Sequence, residues 1–213
     1  MTSAVTFYHN PMSRARTVHW MLEEVGAPYE VKLVDFQKRE HKKPSFLAIN
    51  PMGKLPTIAH MGTIVTESAA ICTYLADAFP KNQLAPRIDD PQRGAYYRWL
   101  FFGASCVEPA VIDGLLKRPS SERTSTVGYG TLEDTLNTLE LALKSGPYLL
   151  GNQFTAADVY MAGQIGFGMI LTKVIEPRPI FQSYLARCTD RPAYKRSMEQ
   201  LDLIDKKMKA AGA

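Results

Sequence analysis

The spacing of the apolar residues changes at about residue 80, and this change limits the possible folds more than any other feature of the chain. Before it, runs of β-forming residues such as Ala4–Tyr8 and the alternating segment Tyr29–Val34 are interleaved with helical stretches. After it, helical periodicity prevails, and one core-facing stripe consists of Leu132, Leu136, Leu139 and Leu143. The sequence therefore predicts an α/β first domain followed by an all-α second domain.

The elements before this change follow a definite order. The first strand precedes a helix that ends at Gly26, because glycine tolerates the left-handed conformation that closes many helices. After the second strand and an irregular or helical segment, two short strand-forming runs, 55–59 and 63–65, predict an antiparallel hairpin. Helical spacing returns in Ser68–Phe79. The predicted order is β-α-β, irregular or helical chain, and then β-β-α.

The boundary between the two halves is marked by composition. The segment 81–92 contains Pro86 and Pro91 and shows no periodicity, which is typical of a linker. We therefore expect domains at 1–80 and 93–213. In the second domain, Thr155 begins a helix as its N-cap. Asp158, three residues later, is placed to complete an acidic variant of the capping box.

Composition argues against several classes of protein. The formal charge of +4 is spread along the chain, so no nucleic-acid partner is indicated. The three cysteines match neither a disulfide framework nor a zinc site, and the histidines show no metal-ligand spacing. No apolar run reaches the ~18 residues of a membrane span, and no signal-peptide pattern opens the chain. We expect a cytoplasmic protein with no metal and no membrane association.

The strongest local signal is the run Asn50-Pro51-Met52-Gly53-Lys54-Leu55-Pro56-Thr57, followed by the Glu67-Ser68 pair. A cis bond before Pro56 would turn the Leu55 backbone outward, so that its N–H and C=O pair with an extended peptide ligand. Ser68 begins a helix whose free N–H groups attract a carboxylate, and Glu67 is suited to accept a hydrogen bond from an ammonium group. These groups together fit a γ-glutamyl tripeptide. A hairpin followed by a capped helix, without a ligand, accounts for the same residues.

The Asn-Pro-x-Gly-Lys-x-Pro run, the Glu-Ser pair and the Phe-Thr-Ala-Ala-Asp helix start at 154–158 resemble the motifs of the cytosolic glutathione transferases. The resemblance covers nearly the whole chain. It implies a thioredoxin-like N-terminal domain of order βαβαββα with a cis Pro56, and a helical C-terminal domain that supplies the pocket for a second substrate. It also implies a homodimer, glutathione as co-substrate and a role in detoxification.

The resemblance also implies which residues contact glutathione. The backbone of the Leu55-Pro56 step would pair with the cysteinyl part, and the Glu67-Ser68 pair would hold the γ-glutamyl end. His41 matches a histidine that in some classes meets the glycine carboxylate, and Lys54 is a second candidate for that carboxylate. Ordinary surface polarity explains His41 and Lys54 equally well.

Two hydroxyl groups are candidates for stabilising the glutathione thiolate. A free thiol titrates near ~8.5, and each unit by which its pKa falls requires ~1.4 kcal/mol of preferential thiolate stabilisation, which a hydrogen-bond donor supplies. Ser13, at the expected start of the first helix, resembles the serine of the theta- and delta-like classes. Tyr8, at the end of the first strand, resembles the tyrosine of the alpha, mu and pi classes. We favour Ser13, with Asn10 as a weaker third donor.

No cysteine precedes Cys72, so both the thioredoxin-type CxxC and the active-site cysteine of omega-like transferases are absent. Glutathione itself must then be the nucleophile. We expect Met12, Phe102 and Cys106 in the second-substrate pocket, and the predicted activity is conjugation of glutathione to small hydrophobic electrophiles. The alternatives are a glutathione-dependent peroxidase, disulfide reductase or isomerase on the same scaffold, or a non-catalytic glutathione-binding protein.

Overall fold

The computed structural model describes residues 4–119 and 121–212, and these form two compact units. The first unit runs to Asn82 and resumes at Arg191, whereas the second comprises Gln83–Asp190. The segment from Arg191 onward therefore groups with the α/β unit, although the sequence analysis had assigned all of 93–213 to the helical domain. Periodicity identifies that segment as a helix but carries no information about the surface on which it packs.

The first unit contains a four-stranded mixed sheet in the order β2-β1-β3-β4. Its strands are β1 (Val5–His9), β2 (Tyr29–Leu33), β3 (Thr57–His60) and β4 (Thr63–Thr66). β1 runs parallel to β2 and antiparallel to β3, and β3 and β4 form the predicted hairpin. Side chains of β1 alternate between buried and partly exposed, as a strand with one face in the core requires.

Two helices lie between these strands, α1 (Ala15–Val25) and α2 (Pro44–Leu47), and a third, α3 (Ser68–Ala78), follows β4. α1 ends at Gly26 as predicted, with a left-handed φ of 64° and an N–H that donates to Leu22 O. Phe46 of α2 packs with Val34 and Leu55 in a small apolar cluster. The element order confirms the thioredoxin-like arrangement, including a helix in the segment expected to be irregular or helical.

The described part of the second unit contains α4 (Gln92–Phe102), α5 (Glu108–Leu115), α6 (Leu132–Leu143), α7 (Ala156–Gly166) and α8 (Pro179–Thr189). A π-helical turn, Gly103–Val107, joins α4 to α5. A Cβ at Gly103 would lie 2.8 Å from Tyr160 Cε1, so the glycine allows this turn and α7 to approach closely. None of the helices in the described ranges is long and apolar enough to cross a membrane.

The final helix, α9 (Pro192–Gly212), packs on α1 and so returns the chain to the first unit. Glu24 of α1 is almost fully buried and accepts two hydrogen bonds from the Arg191 guanidinium, at 2.7 and 2.8 Å, and a third from Trp20 Nε1 at 2.9 Å. Arg196 and Glu23 form a second ion pair at 2.9 Å. A buried carboxylate needs such partners, and here they attach the C-terminal helix to α1.

His9 is a fully buried histidine at the end of β1, and neither of its ring nitrogens has a hydrogen-bond partner within the described residues. Burial, aided by the nearby His19 and Arg16, lowers the pKa of His9 to about 3. The ring lies 4.9 Å from that of Phe7 and 5.4 Å from that of His19, measured between centroids. His9 is therefore neutral near pH 7 and acts as an aromatic core residue.

The start of α7 confirms the predicted capping box. Asp158 accepts from the N–H of Thr155 at 2.9 Å, and the Thr155 side chain accepts from the backbone of Asp158 in return. The same carboxylate also accepts from Leu149 N–H at 2.9 Å and from the Tyr184 hydroxyl at 3.0 Å. Burial raises the pKa of Asp158 to about 6, against the opposing effect of these hydrogen bonds. One side chain therefore ties together α7, α8 and the loop before α7.

Asp158→Ala should destabilise the protein by about 3 kcal/mol or more, because it leaves several buried donors without an acceptor. Unfolding in urea, monitored by circular dichroism, measures the decrease in the free energy of unfolding. Asp134→Ala is the matched control, since Asp134 and Thr131 form the same kind of cap on α6 at an exposed position. A loss for Asp134→Ala as large as that for Asp158→Ala would contradict the assignment of the effect to the buried donors.

Candidate functional site

The register of the sheet brings three separate chain segments to one edge. Thr57, the first residue of β3, pairs with Tyr8 near the end of β1 and with Thr66 at the end of β4. The segments that continue from these positions therefore leave the sheet side by side. They carry most of the residues singled out from the sequence: Ser13 after β1, Leu55 and Pro56 before β3, and Glu67 and Ser68 after β4.

The Leu55-Pro56 peptide bond is cis, as the resemblance implied. Neither the N–H nor the C=O of Leu55 has a hydrogen-bond partner among the described residues. The loop around it is held by Asn50, whose Nδ2 donates to Lys54 O and to Thr57 Oγ1, each at 3.0 Å. A donor and an acceptor on the same residue of a fixed backbone are suited to pair with an extended peptide.

Glu67 and Ser68 lie where β4 gives way to α3. Glu67 has a left-handed φ of 64°, which is uncommon for a residue other than glycine, and its side chain is exposed and makes no contact with another described polar group. The first i to i−4 hydrogen bond of α3 joins Ile71 N–H to Glu67 O at 2.8 Å. The amides before Ile71 are thus available to an anion at the positive end of the helix dipole.

Ser13 lies one residue before the N-cap of α1, Arg14, and so does not begin the helix as expected. Ser13 instead closes a turn that precedes the helix, in which its N–H donates to Asn10 O at 3.0 Å. The Ser13 hydroxyl donates to the same oxygen at 2.7 Å and accepts from Ala15 N–H at 3.1 Å. Its oxygen is therefore held at the helix start by two hydrogen bonds.

Tyr8 lies on the opposite face of β1 from the buried Phe7. Its ring meets the Phe46 ring edge-on, with centroids 5.7 Å apart, and packs against the cluster that contains Leu55. The Tyr8 hydroxyl has no hydrogen-bond partner in the described part of the chain. Both candidate hydroxyls thus belong to the first unit, one beside Leu55 and the other beside α1.

His41 and Lys54 are also close to the Leu55 loop. His41 is half-buried, its ring meets Phe36 edge-on at 4.8 Å, and its Nδ1 is buried without a partner in the described residues. A Cβ at Gly53 would lie 2.5 Å from His41 O, so the turn that carries His41 packs directly on the loop. Lys54 is exposed, and its ammonium group has no partner among the described residues.

The residues expected in the second-substrate pocket are described within their own units. Met12, in the first unit, is 84% exposed. In the second unit, the half-buried Phe102 ring meets Trp99 edge-on, with centroids 5.6 Å apart. Cys106 lies in the π-helical turn, and its Sγ is 3.8 Å from Gly128 O. These side chains are partly or largely accessible, as pocket-lining residues must be.

Two residues at this edge have a role that the sequence analysis did not identify. Asn50 holds the Leu55 loop, and Asn10, considered above only as a weak donor to sulfur, donates through Nδ2 to Val34 O at 2.9 Å. The signal that could have found them is the repeated tripeptide Asn-Pro-Met at 10–12 and 50–52. An asparagine before proline commonly forms a turn through its own side chain.

The cysteines and potential metal ligands do not form a site in the described residues. No group of three or more His, Cys, Asp or Glu side chains there is placed to hold a metal ion. Cys72 and Cys188 are fully buried, and burial raises the pKa of the Cys72 thiol to about 12. A thiol with such a pKa is a poor nucleophile.

Known families match both parts of the chain. The model described as "Glutathione S-transferase, N-terminal domain" matches residues 3–77. The model described as "Glutathione S-transferase, C-terminal domain" matches residues 109–187. Together the two matches include the Leu55 loop, the Glu67-Ser68 pair and the capping box of α7.

Individual relatives agree with these matches. Glutathione S-transferase 2 of Schizosaccharomyces pombe is 31% identical over 204 residues, 84% of this chain and 88% of the relative. A glutathione transferase structure from Methylococcus capsulatus has a TM-score of 0.78 at 28% identity and covers 94% of this chain and 100% of its own. A family member from Pseudomonas fluorescens, solved with two glutathione bound, has a TM-score of 0.78 at 25% identity and covers 92% of each chain. The chain belongs to the glutathione S-transferase family.

Proposed function

We propose that the protein binds reduced glutathione in its first unit, stabilises the thiolate and transfers it to a small hydrophobic electrophile. The observation that carries the proposal is the common sheet edge, where the unpaired Leu55 backbone adjoins the free amides at the start of α3. The relative from Pseudomonas fluorescens that was solved with two glutathione bound supports the choice of ligand.

Each part of glutathione has a complementary group at this edge. The cysteinyl N–H and C=O pair with the Leu55 backbone, and the cis Pro56 holds that backbone outward. The α-carboxylate of the γ-glutamyl residue binds at the Ser68 end of α3, and its ammonium group pairs with the Glu67 carboxylate. The glycine carboxylate meets His41 or Lys54, the nearby groups that are able to donate to it.

Ser13 is the proposed donor to the sulfur. Its hydroxyl proton is directed at Asn10 O, but that oxygen also accepts Ser13 N–H. The proton is therefore able to rotate toward a thiolate without leaving the carbonyl unpaired. Ala15 N–H continues to donate to the hydroxyl oxygen, which strengthens the hydroxyl as a donor. Tyr8 is the alternative, because its hydroxyl is unpaired and its ring contacts the Leu55 cluster.

Ser13→Ala should raise the apparent pKa of bound glutathione by about 1–2 units, since it removes one hydrogen bond to a charged sulfur. Thiolate absorbance in the ultraviolet, titrated against pH, measures this. Ser145→Ala is the control, because Ser145 also donates to the carbonyl three residues before it, at 2.7 Å, but lies in the second unit. A rise seen with Tyr8→Phe and not with Ser13→Ala would transfer the role to Tyr8.

Conjugation joins the thiolate sulfur to an electrophilic carbon of the second substrate. With an aryl halide, the carbon–sulfur bond forms as the halide leaves with the bonding electron pair. Binding contributes by lowering the thiol pKa and by holding the sulfur in position for attack. Phe102 and Cys106 of the second unit are proposed to contact the electrophile, which their apolar character suits.

A panel of substrates separates this activity from its alternatives. We expect turnover of glutathione with 1-chloro-2,4-dinitrobenzene and its loss in Ser13→Ala, measured by product absorbance. Turnover only with cumene hydroperoxide, or only with a mixed disulfide, would instead identify a peroxidase or a disulfide reductase. Retention on glutathione resin without turnover of any substrate would identify a binding protein.

A homodimer is proposed from apolar side chains that the chain leaves exposed. Met61 and Ile64 project from the β3–β4 hairpin, and Tyr97 and Phe101 project from α4. Large apolar side chains that are left exposed on a protein commonly mark an interface with a partner.

Light scattering should give twice the chain mass of 23.8 kDa for the wild type. Phe101→Glu should shift the mass toward that of one chain, because a charge at an apolar interface is unfavourable. Leu141→Glu on α6 should leave the mass unchanged. It is the matched control, because Leu141 is 70% exposed and Phe101 is 69% exposed. The same mass for the Phe101→Glu and Leu141→Glu variants would argue against α4 as part of the interface.

A reducing compartment such as the cytoplasm is proposed as the place of action. None of Cys72, Cys106 and Cys188 forms a disulfide. A protein that relies on apolar packing and buried ion pairs, without disulfides among its cysteines, is typical of such a compartment.

A further inference from the structure

The two Asn-Pro-Met tripeptides of this chain form the same turn. Met12 N–H donates to Asn10 Oδ1 at 2.9 Å, and Met52 N–H donates to Asn50 Oδ1 at 3.1 Å. In both turns the next residue donates its N–H to the asparagine carbonyl: Ser13 at 3.0 Å in the first and Gly53 at 2.8 Å in the second. The two segments therefore repeat the same backbone turn as well as the same tripeptide.

Each asparagine also anchors its turn to the rest of the first unit. Asn10 is 2% exposed, and its Nδ2 donates to Val34 O at 2.9 Å, directly after β2. Val34 N–H in turn donates to His9 O at 2.9 Å. The Asn10 side chain thus joins the ends of β1 and β2 to the loop that leads into α1.

The position of Ser13 depends on this turn. The Ser13 N–H and hydroxyl both donate to Asn10 O, and the preceding residue, Met12, is held by Asn10 Oδ1. All the side-chain hydrogen bonds described for residues 10–13 involve the side chain of Asn10 or that of Ser13. The Asn10 side-chain amide therefore holds in place the residue whose backbone carbonyl receives both Ser13 hydrogen bonds.

We propose that Asn10 is a positioning residue for the thiolate, acting through Ser13, while its counterpart Asn50 positions the Leu55 backbone. The inference rests on the proposed function, because it presupposes that Ser13 donates to the sulfur. The turn needs one side chain that both donates and accepts a hydrogen bond. The asparagine amide does so, because it donates to Val34 O and accepts from Met12 N–H. Asn10 itself makes no contact with the sulfur.

Asn10→Ala removes both hydrogen bonds, and we expect it to raise the apparent pKa of bound glutathione in the same direction as Ser13→Ala. The double variant Asn10→Ala with Ser13→Ala should show no further rise, because a residue that acts through Ser13 has no effect once Ser13 is gone. Thiolate absorbance against pH gives the pKa, and calorimetric titration with glutathione gives the affinity. A rise in the double variant equal to the sum of the two single effects would overturn the proposal.

Asn10→Ser keeps the test valid if the alanine variant does not fold. A serine oxygen is able to accept Met12 N–H in a similar turn but is too short to reach Val34 O, so we expect a smaller rise in the pKa. Asn50→Ala is the matched control with the same turn geometry. It should weaken glutathione binding several-fold and leave the pKa unchanged, because Asn50 holds the Leu55 loop and not Ser13.

The outcomes separate this inference from the function on which it rests. If Ser13→Ala raises the pKa and neither Asn10 variant does, the positioning role is wrong and the proposed function stands. If no variant raises the pKa although glutathione binds, both the role of Ser13 and that of Asn10 are wrong. If Asn50→Ala raises the pKa as much as Asn10→Ala, the effect reflects general loosening of the sheet edge, and the proposal is overturned.

Discussion

The pairing of β3 with β1 on one side and β4 on the other is the constraint on which the candidate site depends. Because Thr57 pairs with both Tyr8 and Thr66, segments about fifty residues apart in sequence leave the sheet at one edge. A slip of one residue in either pairing would turn every side chain of that strand to the opposite face. The buried face of β1, with Val5 and Phe7 in the core, opposes such a slip and so maintains the site.

Buried polar groups supply the precision that apolar packing does not. Asn10 and Asn50 fix two loops through directional hydrogen bonds, and loops of this kind have few apolar contacts to hold them. Glu24 and Asp158 act in the same way on helices, one by attaching α9 to α1 and the other by holding α7 to α8. In each case a polar side chain is buried where every partner is within hydrogen-bonding distance, which is the condition for burying it at acceptable free-energy cost.

The features predicted correctly from the sequence depend on neighbours close in the chain. The end of α1 at Gly26 and the Thr155–Asp158 capping box each arise within four or five residues, and the β3–β4 hairpin arises within ten. The start of α1 was expected at Ser13, whereas its N-cap is Arg14; Ser13 closes the turn before the helix, and that turn includes Asn10, whose amide is held by the distant Val34. Likewise, the helical periodicity of α9 is visible in the sequence, but its packing partner α1 lies more than 150 residues earlier. The Arg191–Glu24 ion pair joins the two.

The sequence alone determined the fold class, the family and the residue types of the candidate site, because these follow from local periodicity and from motifs in a fixed order. Only the tertiary structure decided how those residues meet: that Leu55 presents an unpaired backbone, that the Ser13 hydroxyl is directed at Asn10, and that Tyr8 packs beside Leu55. The reason is physical. Hydrogen-bond geometry and burial are set by strand register and by contacts between distant segments, and neither is encoded in the spacing of residues along the chain.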